Sequence, residues 1–164
     1  MRAHAISDGV FAGDDDLLGG EARGHQSRRA IVVLERFLDR LGAARVRTTF
    51  FLVRIDGLAP AESQALCAEA AGPTRLHLPL DPGTFLVVDI GPRRARNIEK
   101  AEREITTAMT ERLERLIAPD VRADGTSAQV SLNAVHSWNF ELTDLSFVIR
   151  QLRAAPPNAI RPAA

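Results

Sequence analysis

The side chains in this sequence that could do chemistry are scattered, and few of them stand at a spacing that would let them act together. The chain has four histidines and one cysteine, none at metal-ligand spacing: His4, His25, Cys67, His77 and His136. Asp14, Asp15 and Asp16 could attract a cation, but such acidic runs are ordinarily solvated. We therefore predict no metal site and no cofactor.

Three arginines form a second candidate, which is a contact for an anion or a partner: Arg93, Arg94 and Arg96. The apolar spacing around them predicts that they stand at the start of a long helix, where free backbone N–H groups favour anions. A phosphate or an acidic partner could dock there. The alternative is a solvated cluster that pairs with Glu99 and Glu102.

Two aromatic residues, Trp138 and Phe140, form a third candidate, just after the last predicted strand and beside His136. Aromatic side chains often anchor protein interfaces, so an exposed contact for a partner is one interpretation. Packing under the final helix is the other.

Composition limits the function classes. The 164 residues match one domain, and 21 basic residues balance 21 acidic ones, so net charge favours neither nucleic acid nor an anionic membrane as a partner. No apolar run is long enough to span a membrane, and the N-terminus lacks the apolar core of a secretory signal. A single cysteine excludes an internal disulfide. We expect a cytoplasmic protein without membrane insertion.

The elements that would position these residues alternate regularly along the chain. Apolar spacing predicts a helix from Ser27, its N-cap, to Leu41, and the next strand (residues 48–55) is apolar enough to be covered on both faces. Pro60 opens a helix that ends at Ala71. Two strands with alternating or continuous apolar character then flank the turn at residues 81–84, where Pro-Gly favours a hairpin.

The second half of the chain continues the pattern. Gly91-Pro92 is predicted to open a long helix with apolar positions from Ile98 to Leu116, followed by a strand (residues 128–135) and a helix (residues 144–153). Pro79 suits an edge strand. The order predicts an α/β (α+β) fold with a ferredoxin-like βαββαβ core, helices packed on an antiparallel sheet, and extra N- and C-terminal helices. We predict flexible tails at residues 1–13 and 155–164, around one domain at residues 14–154.

Four short motifs follow in order along this framework: Asp16-Leu17-Leu18-Gly19 with Ser27-Arg28-Arg29-Ala30, then residues 51–58, then Asp81-Pro82-Gly83-Thr84-Phe85, then Ser131-Leu132-Asn133-Ala134-Val135. Together they resemble the motifs of GGDEF (diguanylate cyclase) domains, with residues 81–85 in the place of the Gly-Gly-Asp-Glu-Phe signature. The resemblance covers nearly the whole chain between the predicted tails. It implies a bacterial signalling domain.

The same resemblance implies a degenerate site. Joining two GTP molecules requires Mg²⁺ held by carboxylates, but the first carboxylate position of the central strand is Arg54, which would repel a cation; Asp56 alone survives. Gly83 and Thr84 occupy the acidic third and fourth signature positions, and Asp81-Pro82 replaces Gly-Gly. The family's phosphate-contacting lysine has no counterpart either, because Lys100 is the only lysine. The resemblance therefore implies that the chain is not an enzyme.

Three hypotheses follow. The first is a catalytically inactive GGDEF-like domain that acts as a regulatory or scaffolding protein-interaction module, with a protein partner still to be identified and homodimerisation open. The second is a non-catalytic nucleotide sensor for GTP or cyclic di-GMP, in which Arg54 would meet phosphate. The resemblance disfavours it, because the family's Asn-Asp pair for guanine and ribose has no counterpart at residues 59–66. The third is an unrelated ferredoxin-like enzyme, for which no nucleophile–base pair stands out.

Overall fold

The fold is built around β1 (Val46–Asp56), which lies in the middle of an antiparallel sheet. The computed structural model describes residues 20–41, 46–92, 94–117, 128–138 and 145–161. Four helices and five strands follow one another in these ranges: α1 (Gly20–Leu41), β1, α2 (Pro60–Ala71), β2 (Leu76–Asp81), β3 (Thr84–Pro92), α3 (Ile98–Ile117), β4 (Gln129–Ser137), α4 (Leu145–Ala154) and β5 (Asn158–Ile160).

The strands are ordered β2-β3-β1-β4-β5, and each neighbouring pair is antiparallel. The predicted βαββαβ core with flanking helices is therefore confirmed. β2 lies at one edge of the sheet, as expected for a strand that contains Pro79, because proline has no N–H to donate to a second neighbour.

Both faces of the sheet are covered, as the continuous apolar run of β1 predicts. Because side chains alternate along a strand, Phe51 and Val53 enter one core with α2 and α3, whereas Phe50 and Leu52 enter a second core with α1 and α4. All four side chains are at most 2% exposed. Two apolar layers thus fix the position of β1.

The structure corrects two predicted helix starts. α1 begins at Gly20, so Ser27 lies inside the helix and is not its N-cap; residues 20–26 contain Glu, Ala, Arg and Gln, which favour helix without adding to the apolar stripe. Gly91 and Pro92 do not open α3, because they end β3 by pairing with Arg47 and Val46. α3 starts only at Ile98.

The C-terminal tail prediction is wrong for residues 158–160, which form β5 on the outer side of β4. Ile160 is only 9% exposed and joins the first core. Asn133 holds the connection from α4, because its buried amide donates to the carbonyls of Leu152 (2.9 Å) and Ala155 (3.1 Å). The Pro- and Ala-rich composition of residues 155–164 predicted a tail, so nothing in the sequence indicated this short strand. The predicted N-terminal tail and the motif at residues 16–19 lie outside the described residues.

Among the helices that the structure describes, none combines the length and the apolar character that crossing a membrane requires.

Candidate functional site

The resemblance directs attention first to the hairpin end of β1, which we define as Arg54, Asp56 and the turn Asp81–Thr84. In the turn, Gly83 has a φ of 71° and its carbonyl oxygen accepts a 2.7 Å hydrogen bond from the backbone N–H of Ile55. A Cβ atom at position 83 would lie 2.5 Å from the Ile55 carbonyl oxygen. Left-handed backbone and close contact both require glycine here, so the predicted Pro-Gly turn is confirmed.

Arg54 lies opposite Thr84 on β3 and Ser131 on β4, where its side chain is half-buried. Its Nη2 donates to the backbone carbonyl oxygen of Arg153, in the last turn of α4, over 3.3 Å. The guanidinium of Arg153 in turn bonds Oδ2 of Asp81 at 2.5 Å. The last turn of α4 therefore connects Arg54 and Asp81 of the hairpin end.

The remaining predicted positions do not converge with these contacts. Asp56 is exposed at the end of β1, where it pairs in register with Gln129. Phe85 is only 3% exposed and belongs to the first core, so it cannot contact a ligand. Pro82 is exposed and Thr84 is half-buried. In the described ranges, no group of three or more His, Cys, Asp or Glu residues could hold a metal ion.

The described arginines of the predicted anion or partner contact lie just before α3 and not inside its first turn. Arg94 and Arg96 are exposed, but they precede the helix, and Arg93 lies outside the described residues. Asn97 caps the helix, since its Oδ1 accepts from the backbone N–H of Lys100 at 2.9 Å. The capped terminus offers one donor fewer to an anion.

Trp138 is half-buried and lies beside α3. Its Nε1 donates to Oε1 of Glu102 at 2.7 Å. Glu102, which the sequence offered as a partner for the arginine cluster, thus accepts a hydrogen bond from the indole. Phe140 lies outside the described residues.

A second polar cluster, which sequence reasoning missed, lies at the opposite end of β1. Asp89 on β3 accepts from Arg47 Nη1 at 2.9 Å with one carboxylate oxygen and from Arg75 Nε at 2.7 Å with the other. The three side chains are 14–15% exposed. The available signal was Asp89 itself, a charge that interrupts the apolar run of β3. We call this network, with the histidine described next, the Arg47 end.

His136 extends the Arg47 end from β4 toward α3. Its Nδ1 shares a 2.9 Å hydrogen bond with Thr49 Oγ1, and its Nε2 shares a 3.2 Å bond with Thr106 Oγ1. The pKa of His136 is lowered, mainly by burial. The carboxylates of Glu102 and Asp89 act in the opposite direction, and the Arg47 guanidinium adds to the lowering. Since both ring nitrogens have threonine partners, this histidine is engaged in holding α3 to the sheet.

The single cysteine gives no nucleophile. Cys67 is fully buried on α2, and burial raises the pKa of its thiol to about 12. The reactive thiolate is therefore scarce at neutral pH.

No family model matches the chain, and no curated protein matches it either. Among solved structures, the fold is similar to that of a DGC protein from Thermotoga maritima, with a TM-score of 0.52 over 79% of this chain and 92% of that one, at 14% identity.

Two further solved structures align less well. A sensory box/GGDEF family protein from Caulobacter crescentus CB15 aligns with a TM-score of 0.48 at 18% identity, over 76% of this chain and 87% of that one. The GGDEF domain of a Pseudomonas aeruginosa protein aligns with a TM-score of 0.46 at 15% identity, over 83% of this chain and 86% of that one. At these identities the likeness is one of fold.

Proposed function

We propose that the chain is a catalytically inactive GGDEF-like domain that acts as a regulatory or scaffolding module by binding another protein. The observation that carries the proposal is the backbone at Gly83. The family signature has an acidic residue at this position, but here a side chain would meet the Ile55 carbonyl oxygen at 2.5 Å in a left-handed backbone. A carboxylate could be accommodated only if the turn changed its conformation.

The contacts of Arg54 support the same proposal. A cation-binding strand would carry a carboxylate at this position, whereas Arg54 carries a positive charge and donates to the last turn of α4. The neighbouring Asp81 is paired with Arg153, so its charge is already compensated. The hairpin end thus binds α4 of the same chain.

A thermal-shift titration with GTP, cyclic di-GMP and Mg²⁺ tests this proposal against the nucleotide-sensor alternative. A ligand at about 100 times its Kd stabilises a protein by about 2.7 kcal/mol, so binding would raise the melting temperature clearly. We expect no shift at millimolar ligand.

Arg54→Gln is the matched variant for that titration, because it removes the charge that would meet a phosphate and keeps a long polar side chain. A nucleotide-dependent shift in the unmodified chain that disappears in Arg54→Gln would contradict the proposal and support a sensor. In parallel, affinity capture with the tagged chain should yield a specific protein partner in the absence of nucleotide.

A further inference from the structure

The outer face of α1 exposes large apolar side chains that the fold does not use. Leu34 and Leu38 are buried in the second core with Leu80 of β2, and Leu78 packs against it. Val33 and Phe37 lie on another side of the helix and are 64% and 39% exposed. They are four residues apart, so they are neighbours on the helix surface. We call this pair the α1 stripe.

A row of arginines borders the α1 stripe. Arg29, Arg36 and Arg40 are exposed, and each stands three or four residues from Val33 or Phe37. Glu35 and Asp39 each follow a stripe residue by two positions, about 200° around the helix. Asp39 also follows Arg36 by three positions and is its neighbour, but neither acidic residue is three or four positions from Arg29 or stands between the stripe and the arginines. The surface beside the stripe therefore combines two apolar side chains with three positive charges. Val32, which is 45% exposed, borders the arginine row on its other side.

We propose that the α1 stripe and its arginine row bind an acidic amphipathic helix of the protein partner. Apolar residues on that helix would cover Val33 and Phe37, and carboxylates along its flank would pair with the guanidinium groups, which bind carboxylates well. The inference rests on the proposed function, whose partner it specifies.

Charge complementarity favours this occupant over a second copy of the chain. In an antiparallel pair of α1 helices the arginine rows would face each other, and in a parallel pair each row would face the apolar flank of its partner. Neither arrangement brings Glu35 or Asp39 of one copy to the arginine row of the other. A membrane surface fits less well, since the broad apolar face of α1 is already buried in the core and the exposed stripe is narrow.

A binding assay with synthetic peptides tests the inference. The probe is a labelled helical peptide with leucine at its two core heptad positions and glutamate at the flanking ones, and the control peptide has lysine in place of glutamate. Fluorescence anisotropy should detect binding of the glutamate peptide alone. Binding should weaken as salt rises, because exposed charges are screened.

Three variants locate the contact. Arg36→Glu with Arg40→Glu, and separately Val33→Ser with Phe37→Ser, should each weaken peptide binding by about tenfold or more. Arg28→Glu is the matched charge control, because Arg28 is exposed on another side of α1, and it should bind as the unmodified chain does. Circular dichroism melts check that every variant folds.

The results that would overturn the inference are distinct from those that would overturn the proposed function. Failure of the glutamate peptide to bind, equal binding of the lysine peptide, or equal binding by all variants would overturn it. Sedimentation of the chain with phosphatidylserine vesicles would also overturn the inference if it depended on the same arginines, because the surface would then bind a membrane. A nucleotide-dependent thermal shift with intact peptide binding would overturn the proposed function only.

Discussion

The two ends of β1 carry the same kinds of charged residue in different surroundings. At the hairpin end, Asp81 pairs with Arg153, and the two side chains are 55% and 48% exposed. At the Arg47 end, Asp89 pairs with two arginines, and all three side chains are 14–15% exposed. Exposed ion pairs contribute about 0–1 kcal/mol, whereas removing one partner of a buried network costs roughly 3–5 kcal/mol. Breaking an ion pair should therefore cost more at the Arg47 end than at the hairpin end.

Replacing the carboxylate that joins the two arginines should have the largest effect. Asp89→Asn leaves Arg47 and Arg75 largely buried without their shared counter-charge, so we expect a loss of about 3 kcal/mol in the free energy of unfolding. Urea denaturation measures it. Asp81→Asn, the same change in the exposed pair, is the control and should cost less than about 1 kcal/mol. Equal losses in both variants would remove the contrast between the two ends.

The turn backbone should matter more to the hairpin end than its ion pair does. Gly83→Ala combines a left-handed backbone with a Cβ contact against the Ile55 carbonyl oxygen, and it should destabilise the chain by about 2–3 kcal/mol. Gly57→Ala provides the comparison, since Gly57 has a φ of 85° but is exposed. Gly57→Ala should therefore lower the free energy of unfolding only by the cost of a left-handed backbone, about 1 kcal/mol. If denaturation gave the same loss for both, the turn would not be held against β1 as described.

The Arg47 end should also respond to pH. Burial lowers the pKa of His136 below its ordinary value of 6.5, so the unfolded chain binds a proton that the folded chain does not. The free energy of unfolding should therefore fall as the pH drops from about 7.5 to about 5.5, before most carboxylates titrate. Burial lowers the pKa of His77 as well, which adds a slope of the same sign.

Urea denaturation across this pH range separates the two histidines. His136→Gln should remove part of the slope, and His77→Gln another part. A slope that His136→Gln leaves unchanged would show that this histidine does not couple protonation to the contact between α3 and the sheet.

The smallest effect is expected at the exposed end of α4. Arg153→Gln removes the pair with Asp81 but leaves the backbone carbonyl that accepts from Arg54. The free energy of unfolding should therefore fall by about 0–1 kcal/mol, and the melting temperature should change little. A thermal melt in low and high salt measures it, and salt should reduce even this difference. A loss as large as that of Asp89→Asn would mean that the hairpin end is anchored through this pair.

Much of the fold could be predicted from the sequence because it depends on local patterns. The continuous apolar run of β1 predicted a strand covered on both faces, and Pro82-Gly83 predicted the turn. Features that depend on distant partners could not be predicted in this way. β5 forms because Ile160 reaches the first core, and Ser27 looked like a cap because the polar residues before it gave no apolar stripe.

The contacts of the predicted site positions could not be read from the sequence. The motif order located Arg54 and Asp81, yet nothing near them in sequence indicated that Arg153 would connect them, 99 and 72 residues away. The Arg47 end was missed for the same reason. Its members come from β1, β3, β4, α3 and the segment before β2, and only Asp89 interrupts an apolar pattern visibly.

The most direct test of the central claim is incubation of the purified chain with GTP and Mg²⁺, with nucleotides separated by chromatography. We predict that GTP is consumed no faster than in a blank without protein, and that no cyclic dinucleotide forms. Formation of cyclic di-GMP by the unmodified chain would contradict the account, because the hairpin end would then support the chemistry that Arg54, Gly83 and Thr84 argue against.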